Sequence, residues 1–325
     1  MSADLREPGE DFARLADPYR RELLAHCYRM LGSFPDAEDL VQETFLRAWR
    51  GYDQFGGRSS IRTWLYQIAT NACLTALQSR HRRVLPSGLG HSADEPAGAD
   101  LARVESVPWL GPAPTRALGD DDPATIIALR DSTRLALLTA FQRLPPRQRA
   151  VLLLIEVVGY RPAEAAEFLG VTTTAARSLL QRARETLAGD ASPGAAPSGA
   201  TPDPTVDQEI LRRYLAAFKA SDTAALAALL REDIDYEMPP IALWFHGIPA
   251  VLDHHDRRVF RHPRRALATS ANGYPAAAAY TPGADGAFRP HALHVLETDG
   301  ARITRIVVFL DGSLIRHFGL PITVP

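Results

Sequence analysis

The chain has 325 residues, of which 23% are charged, and a formal net charge of −2. This length and charge balance predict a folded protein of two or three domains and exclude a wholly disordered one. Although 46% of the residues are hydrophobic, no apolar run approaches the roughly 18 residues that a membrane span needs, and residues 1–10 lack the apolar stretch of a signal peptide. The sequence therefore predicts a cytoplasmic protein that makes no membrane contact.

Cysteine and arginine usage narrow the chemistry further. Cys27 and Cys73 lie far apart without a CxxC pattern, which predicts neither a disulfide scaffold nor a zinc site. Lys219 is the only lysine, so nearly every basic side chain is an arginine, whose planar guanidinium suits phosphates and base edges. Because the net charge is slightly negative, nucleic-acid binding would need local basic patches. We expect no metal and no cofactor.

Two connectors divide the chain. Residues 86–122 are rich in Pro, Gly and Ala and carry seven acids against two arginines, and residues 189–203 are rich in proline. They predict a multi-domain protein with domains at residues 1–85, 123–188 and 204–325. The periodicity of the first two predicts all-α domains, and that of the third predicts an α+β domain.

The first domain opens with an amphipathic helix predicted over residues 36–50. Pro35 stands at its start and Gly51 at its end. An acidic stripe lies on its polar face, formed by Asp36, Asp39, Gln42 and Glu43. Such a stripe suits a basic helical partner, because opposed charges steer association and fix register. The alternative is an ordinary solvated helix face.

A predicted loop over residues 52–60 and a second helix from Ile61 combine aromatic rings with arginines. Single-stranded DNA needs this combination for base stacking and phosphate neutralisation. The candidate DNA contacts are Tyr52, Arg58, Arg62, Asn71 and Arg80. Trp64 either joins them or packs in the core.

The second domain contains the most specific pattern. Residues 162–169 and 174–187 predict two helices around a turn at Gly170, where glycine supplies the positive φ. In a helix–turn–helix, the first turns of the second helix reach the major groove. The candidate contacts are Thr173, Thr174, Arg177, Ser178 and Arg182, with Arg177 the first choice for reading bases. The alternative is a helix pair that packs on a protein partner.

The third domain begins with two predicted helices, over residues 206–220 and 223–230. Strand-like runs follow at 234–238, 293–297, 302–310 and 314–318, with turn signals at Thr298-Asp-Gly and Asp311-Gly. The candidate pocket residues are Tyr236, Trp244, His254, Asn272 and His291. Because no nucleophile motif or metal-ligand spacing accompanies them, we predict no catalysis.

Three segments resemble known families. Residues 36–49 and 61–71 resemble region 2 of an extracytoplasmic-function (ECF) sigma factor of the sigma-70 family. The helix–turn–helix and the run from Leu144 that precedes it resemble region 4 of the same family. Residues 206–325 resemble a SnoaL-like domain, an α+β cone of the nuclear transport factor 2-like superfamily.

The resemblance implies a promoter-specificity subunit. Its acidic stripe would bind the clamp coiled coil of core RNA polymerase, the first domain would open the −10 element of promoter DNA, and the second would read the −35 element. The 86–122 connector would thread the polymerase channel that RNA later uses, or would act as a flexible tether. The SnoaL-like domain would regulate activity through a small-molecule ligand or an intramolecular contact.

Two other readings remain open. A stand-alone helix–turn–helix regulator would bind duplex DNA without help from core polymerase. A SnoaL-like enzyme with DNA-binding domains as passengers would turn over a small molecule and would depend on a pocket acid or histidine.

Overall fold

The computed structural model describes residues 8–57, 59–79, 82–90, 92–93, 101–119, 133–189 and 204–325. It contains two compact units. The first comprises Met1–Arg82, Ala117–Gly119 and Ala136–Ala195; the second comprises Arg83–Arg116, Asp120–Leu135 and Ala196–Pro325. The connector after the first domain therefore groups with the C-terminal residues.

The first half of the helical unit consists of α1 (Pro8–Ala16), α2 (Arg20–Leu31), α3 (Phe34–Phe55) and α4 (Ile61–Leu77). Their apolar faces bury Leu23, Val41 and Leu65. Cys27 and Cys73 are both buried thiols. Both fill core positions, as is common for free cysteine.

The predicted end of α3 at Gly51 is wrong. The helix continues to Phe55, and Gly56 ends it in the left-handed region with a φ of 60°. A Cβ at Gly51 would make only an ordinary van der Waals contact with the Trp64 ring, at 3.4 Å. The predicted 52–60 loop is correspondingly shorter, and Tyr52 belongs to the last turn of the helix.

The second half of the helical unit contains α6 (Leu135–Arg143), α7 (Pro146–Leu152), α8 (Pro162–Leu169) and α9 (Thr173–Gly189), and the short α5 spans Thr115–Leu118. Arg149 is buried and donates to the backbone oxygens of Gln142 and Leu144 at 3.1 Å each. These bonds satisfy carbonyls at the end of α6. The sequence also predicts a helix over residues 124–143, of which residues 124–132 lie outside the described ranges.

The second unit packs helices on one sheet. Its helices are α10 (Pro204–Ala220), α11 (Thr223–Ala227) and α12 (Ile248–His254). Its strands are β1 (Leu230–Glu237), β2 (Trp244–His246), β3 (Arg265–Ala271), β4 (Tyr274–Pro282), β5 (Phe288–Thr298) and β6 (Ile303–Phe309). The sheet order is β2-β1-β6-β5-β4-β3. Only the β1–β6 pairing is parallel among these neighbours.

Helices and strands together bury one core, which includes Tyr214, Ile234, Val251 and Ile306. The α+β fold class is confirmed, as is the hairpin at Thr298-Asp-Gly between β5 and β6. The predicted strand at 314–318 is wrong, because Gly312–Phe318 forms a 3₁₀ segment.

Candidate functional site

The acidic stripe lies on α3 as predicted. Asp39 and Gln42 are exposed, Asp36 and Glu43 are half-buried, and Glu43 Oε1 accepts from Arg47 Nε at 2.7 Å. The amide of Asp36 donates to Ser33 Oγ at 3.4 Å, which caps the helix. The stripe is therefore presented by a well-formed helix whose opposite face is buried.

Two large apolar side chains that the sequence analysis passed over extend this stripe. Leu46 is 49% exposed and Trp49 is 56% exposed. With Asp39, Gln42 and Asp53 they follow steps of three and four residues, so all five share one helix face. Their three- and four-residue spacing was available in the sequence, but the predicted stripe includes only polar side chains. An exposed tryptophan beside leucine, rimmed by acids, is typical of a protein-binding surface.

The residues predicted to contact the −10 element lie in different surroundings. Asn71 is exposed on α4. Tyr52 packs its ring against Phe12, with centroids 5.3 Å apart. Arg58 and Arg80 lie outside the described residues.

Arg62 is engaged inside the helical unit. Its guanidinium makes a two-pronged contact with the Glu22 carboxylate, Nε–Oε1 and Nη2–Oε2 both being 2.9 Å. It also lies 4.9 Å from the Tyr66 ring centroid and 5.4 Å from that of Tyr160. Partial burial alone would lower the pKa of Arg62, but the Glu22 hydrogen bonds raise it. Arg62 thus links α4 to the turn before α8.

Trp64 packs rather than projecting. Its ring stacks on Phe55 with centroids 4.6 Å apart and an interplanar angle of 25°. The stack closes the end of α3 against the start of α4. Trp64 remains half-buried, so a DNA contact by its exposed part stays a prediction.

The helix–turn–helix has the predicted geometry. Gly170 has a φ of 61°, and Thr172 Oγ1 accepts the Ala175 amide at 3.1 Å to cap α9. Ala176, Leu180 and Ala183 form the buried face of α9. The candidate DNA contacts on the other face are exposed at Thr174, Arg177, Ser178 and Arg182 and half-buried at Thr173.

Arginines on α9 differ in their partners. Arg184 forms an ion pair with Glu156. Arg182 Nε donates to the Ser178 carbonyl oxygen at 3.2 Å. In the described part of the chain, Arg177 makes no ion pair, so its guanidinium is available to an external acceptor.

The C-terminal candidates form two groups rather than one pocket. Trp244 and Asn272 bind the connector. Trp244 Nε1 donates to the Gly90 oxygen at 3.0 Å, and Asn272 exchanges hydrogen bonds with Ala113 at 3.0 Å. The Asn272 amide nitrogen also donates to the Thr133 oxygen at 2.8 Å.

A buried ion pair adds a third anchor for the connector. Glu237 is fully buried, and Arg305 Nε donates to its Oε1 at 2.7 Å. The Ser87 amide donates to Glu237 Oε2 at 2.9 Å, and Arg305 Nη2 reaches Ser87 Oγ at 3.2 Å. Burial alone would lower the pKa of Arg305, but the charges of Glu237 and Glu297 raise it. The sequence offered no signal for this pairing, because the partners are far apart along the chain.

Tyr236 and His254 belong to a different cluster, on the inner side of the sheet. Their ring centroids are 5.5 Å apart, and His255 lies 5.2 Å from Tyr236. His291 is half-buried nearby, where burial and the charge of Arg264 lower its pKa. His255 and His294 were missed because nothing in the sequence places them on the same side as Tyr236.

Two family models match the chain. Sigma-70 region 2 matches residues 15–83, and Sigma-70, region 4 matches residues 134–187. These ranges contain α2 to α4 and the helix–turn–helix. The fold and its two candidate interfaces therefore define a protein of the sigma-70 class.

Comparison with individual proteins identifies the group within that class. The chain is 47% identical to the ECF RNA polymerase sigma factor SigG of Mycobacterium tuberculosis over 323 residues, which is 97% of this chain and 86% of that protein. It is 32% identical to SigJ of the same organism over 67% of this chain and 61% of SigJ. The crystal structure of SigJ matches with a TM-score of 0.60 at 23% identity, covering 97% of this chain and all of the other. This chain belongs to the ECF RNA polymerase sigma factors.

In the described parts of the chain, no helix is long and apolar enough to cross a membrane. No group of three or more His, Cys, Asp or Glu side chains in those same ranges is arranged to hold a metal ion.

Proposed function

We propose that this ECF sigma factor directs core RNA polymerase to promoters through separate surfaces of its helical unit. The observation that carries this is the exposure of two faces that the fold does not use for packing, the α3 stripe and the first turns of α9. Both belong to the segments that match sigma-70 regions 2 and 4. We assign no reaction to the chain itself, since polymerase carries out nucleotidyl transfer.

The α3 stripe is the surface that we assign to core polymerase. Asp39 and Gln42 provide a polar, acidic rim, and Leu46 and Trp49 provide an apolar centre. Interfaces with an aromatic anchor and charged rim combine affinity with orientation. A basic helix on the polymerase fits this surface by charge.

The first turns of α9 are the surface that we assign to the −35 element. Arg177 is exposed and projects from the part of a recognition helix that enters the major groove. Arginine binds guanine O6 and N7 with two hydrogen bonds, which gives sequence preference. Arg182, one turn further on, is assigned to phosphate.

The −10 element is assigned to α4 and the turn before it. Asn71 is exposed there, whereas Arg62 is held by Glu22 and by the rings of Tyr66 and Tyr160. We therefore infer that Arg62 contacts DNA only after it leaves Glu22. In this assignment, opening of the contact between α4 and the turn before α8 precedes promoter melting.

The α+β unit is assigned a regulatory role through the connector. Ser87, Gly90 and Ala113 of the connector are hydrogen-bonded to Glu237, Trp244 and Asn272. A connector held in this way is not available to enter the polymerase channel that the sigma-factor resemblance implies for it. The intramolecular hold and the channel would therefore compete for the same segment.

Run-off transcription with purified core polymerase tests the assignment of α3. Reversing Asp39 and Glu43 together to arginine should weaken capture of core and reduce transcription, because the two introduced positive charges would repel a basic partner. The matched control reverses Glu209 and Glu232, two exposed acids of the α+β unit, and changes the net charge equally. Normal capture of core by the Asp39/Glu43 variant would contradict the proposal, as would equal loss in the control.

A further inference from the structure

The inner side of the α+β unit contains a cluster of buried rings that also carry polar atoms. Its members are Tyr214, Tyr236, His254, His255 and His294, each less than 5% exposed. His254 and His255 have ring centroids 5.9 Å apart, and both face the Tyr236 ring. Phe218, Phe245 and Phe260 pack around them.

Hydrogen bonding within this ring cluster is incomplete. The Tyr214 hydroxyl and His294 Nδ1 satisfy each other at 2.7 Å. His255 Nδ1 lies 2.7 Å from the Val251 carbonyl oxygen, and since that oxygen only accepts, Nδ1 carries the proton. His255 Nε2 is then an acceptor, and it is buried with no partner in the described structure, as is His254 Nδ1. Leaving such an atom unsatisfied costs about 1–3 kcal/mol, so it points to an absent hydrogen-bonding molecule.

The imidazoles of the cluster are neutral at physiological pH. Burial lowers the pKa of His255 to about 4 and those of His254 and His294 to about 3. A general base works best with a pKa near the operating pH, so these rings are poor bases but good hydrogen-bond partners. The chemistry available here is binding rather than proton transfer.

Arg264 supplies one positive charge next to these rings. It is half-buried, its Nε donates to the Val259 oxygen at 2.8 Å, and its charge lowers the pKa of His254, His255, His291 and His294. In the ranges that the structure describes, no carboxylate forms an ion pair with Arg264. Arg305 of the same unit, by contrast, pairs with buried Glu237. A partly buried cation without a counter-ion is costly, and an anion from outside the chain would offset that cost.

We propose that the ring cluster and Arg264 form a binding site for a small aromatic carboxylate that also carries a hydroxyl group. The carboxylate would bind the terminal nitrogens of Arg264, whose planar fork accepts two oxygens. The hydroxyl would donate to His255 Nε2, and the ring would pack between the aromatic side chains. On the same face of the sheet, β4 contributes only the small side chains of Ala277 and Ala279 to the core, and Ala277 lies directly beside His294 in the strand register.

Isothermal titration calorimetry of the full chain with three different ligands tests which ligand groups the site requires. We expect para-hydroxybenzoate to bind, benzoate to bind more weakly because it lacks the donor, and para-hydroxybenzamide to bind at least about tenfold more weakly because it lacks the charge. Equal affinity for the amide and the acid would overturn the proposal. So would the absence of any binding by both carboxylates at concentrations up to about 10 mM.

Three variants of the protein test which side chains form the site, with folding checked by circular dichroism. Arg264→Gln should weaken both carboxylates by about tenfold or more, and His255→Phe should remove the advantage of para-hydroxybenzoate over benzoate. The matched control is Arg265→Gln, an exposed arginine next in the chain whose guanidinium lies over Phe288, and it should bind as the native protein does. Equal loss in the control, or no loss in Arg264→Gln, would overturn the proposal. Should Arg264→Gln fail to fold, Arg264→Lys, which keeps the charge and loses the fork, must weaken binding of both carboxylates.

Discussion

Arginine side chains have three roles in this chain, which differ in burial and in the acceptors that the guanidinium contacts. Arg149 is buried and binds backbone oxygens, and Arg305, whose side chain is 14% exposed, pairs with fully buried Glu237. Arg177 is exposed and makes no ion pair in the described structure. Because an arginine stays charged in all these settings, its function is decided by the acceptors around it.

The exposure of Arg177 leads to a prediction about promoter affinity. Arg177→Ala should weaken binding to a cognate −35 element by about 1–3 kcal/mol and relax the preference at one base pair. Binding is measured with duplex libraries in the presence of core polymerase. The control is Arg184→Ala on the same helix, which loses only the ion pair with Glu156. An unchanged base preference in Arg177→Ala would count against direct reading.

His26 leads to a prediction about pH. It is buried in the helical unit beside Thr70, with Nε2 and Oγ1 3.0 Å apart, and burial, aided by the charge of Arg29, lowers its pKa to about 3. The unfolded chain binds the proton more readily, so the stabilising effect is complete above about pH 6.5 and is lost as pH falls. The loss should approach about 1.4 kcal/mol per pH unit.

Urea unfolding of the native protein and His26→Gln at pH 7 and pH 5 measures this effect. The native protein should lose more stability than the variant between the two values. Nuclear magnetic resonance should show a His26 ring that does not titrate above about pH 5 in the folded protein. Equal losses of stability would show that His26 is not the source.

At the scale of the element, glycine conformation fixes where helices stop. Gly51 and Gly56 both stand near the end of α3, but only Gly56 has a positive φ, and the helix ends there. Gly170 performs the same role between α8 and α9. The sequence predicted the turn at Gly170 correctly because strong helix signals precede it and follow it.

Gly170→Ala should therefore destabilise the helix–turn–helix. Alanine in the left-handed region costs about 1–2 kcal/mol, and nothing lies within 4 Å of the position that would add a steric effect. The control is Gly189→Ala, which likewise has no neighbour within 4 Å but sits at the end of α9 without a positive φ. Thermal unfolding should show a lower midpoint for Gly170→Ala alone. Equal midpoints for the two variants would remove the conformational argument.

At the scale of the whole molecule, the connector is the feature that changes the interpretation. Its composition is typical of a flexible tether, yet its described residues make hydrogen bonds to β1, β2 and the turn between β3 and β4. Ala93 and Leu101 of the connector pack against the core of the α+β unit, so the contact is apolar as well as polar. A segment with this many fixed contacts is part of the α+β unit.

Asn272→Gly tests the regulatory role of this hold. Glycine tolerates the φ of 55° at this position. The variant removes the hydrogen bonds that the Asn272 side chain makes with the Ala113 amide and the Thr133 carbonyl oxygen. We expect faster hydrogen exchange at Ala113 and more run-off transcript at limiting concentrations of the protein. Ser221→Gly, at the other non-glycine position of positive φ in the described residues, is the control and should change neither. If Asn272→Gly shows faster exchange at Ala113 but an unchanged transcript level, the hydrogen bonds to the connector do not regulate transcription.

The sequence was most informative where the signals were local. Periodicity and the glycine at 170 predicted the helix–turn–helix, and the α3 stripe followed from spacing alone. The sequence analysis missed β3 and β4. In β4, four of the nine residues are alanine, which has little β propensity, and its two buried faces give no alternation of apolar and polar residues. The run at 314–318 looked like a strand because its apolar residues are few and close, which does not distinguish a strand from a 3₁₀ turn.

The amino-acid sequence by itself determined the order of the domains, the two sigma-type segments and the exposed faces of α3 and α9, since each depends on residues within a few turns of one another. Only the tertiary structure decided that Arg62 is held by Glu22 and Tyr160, that the connector belongs to the α+β unit, and that His255 and Arg264 lie beside Tyr236. These contacts join residues that are distant along the chain. The register of the sheet and the packing of the helices set such distances, and no local pattern encodes them.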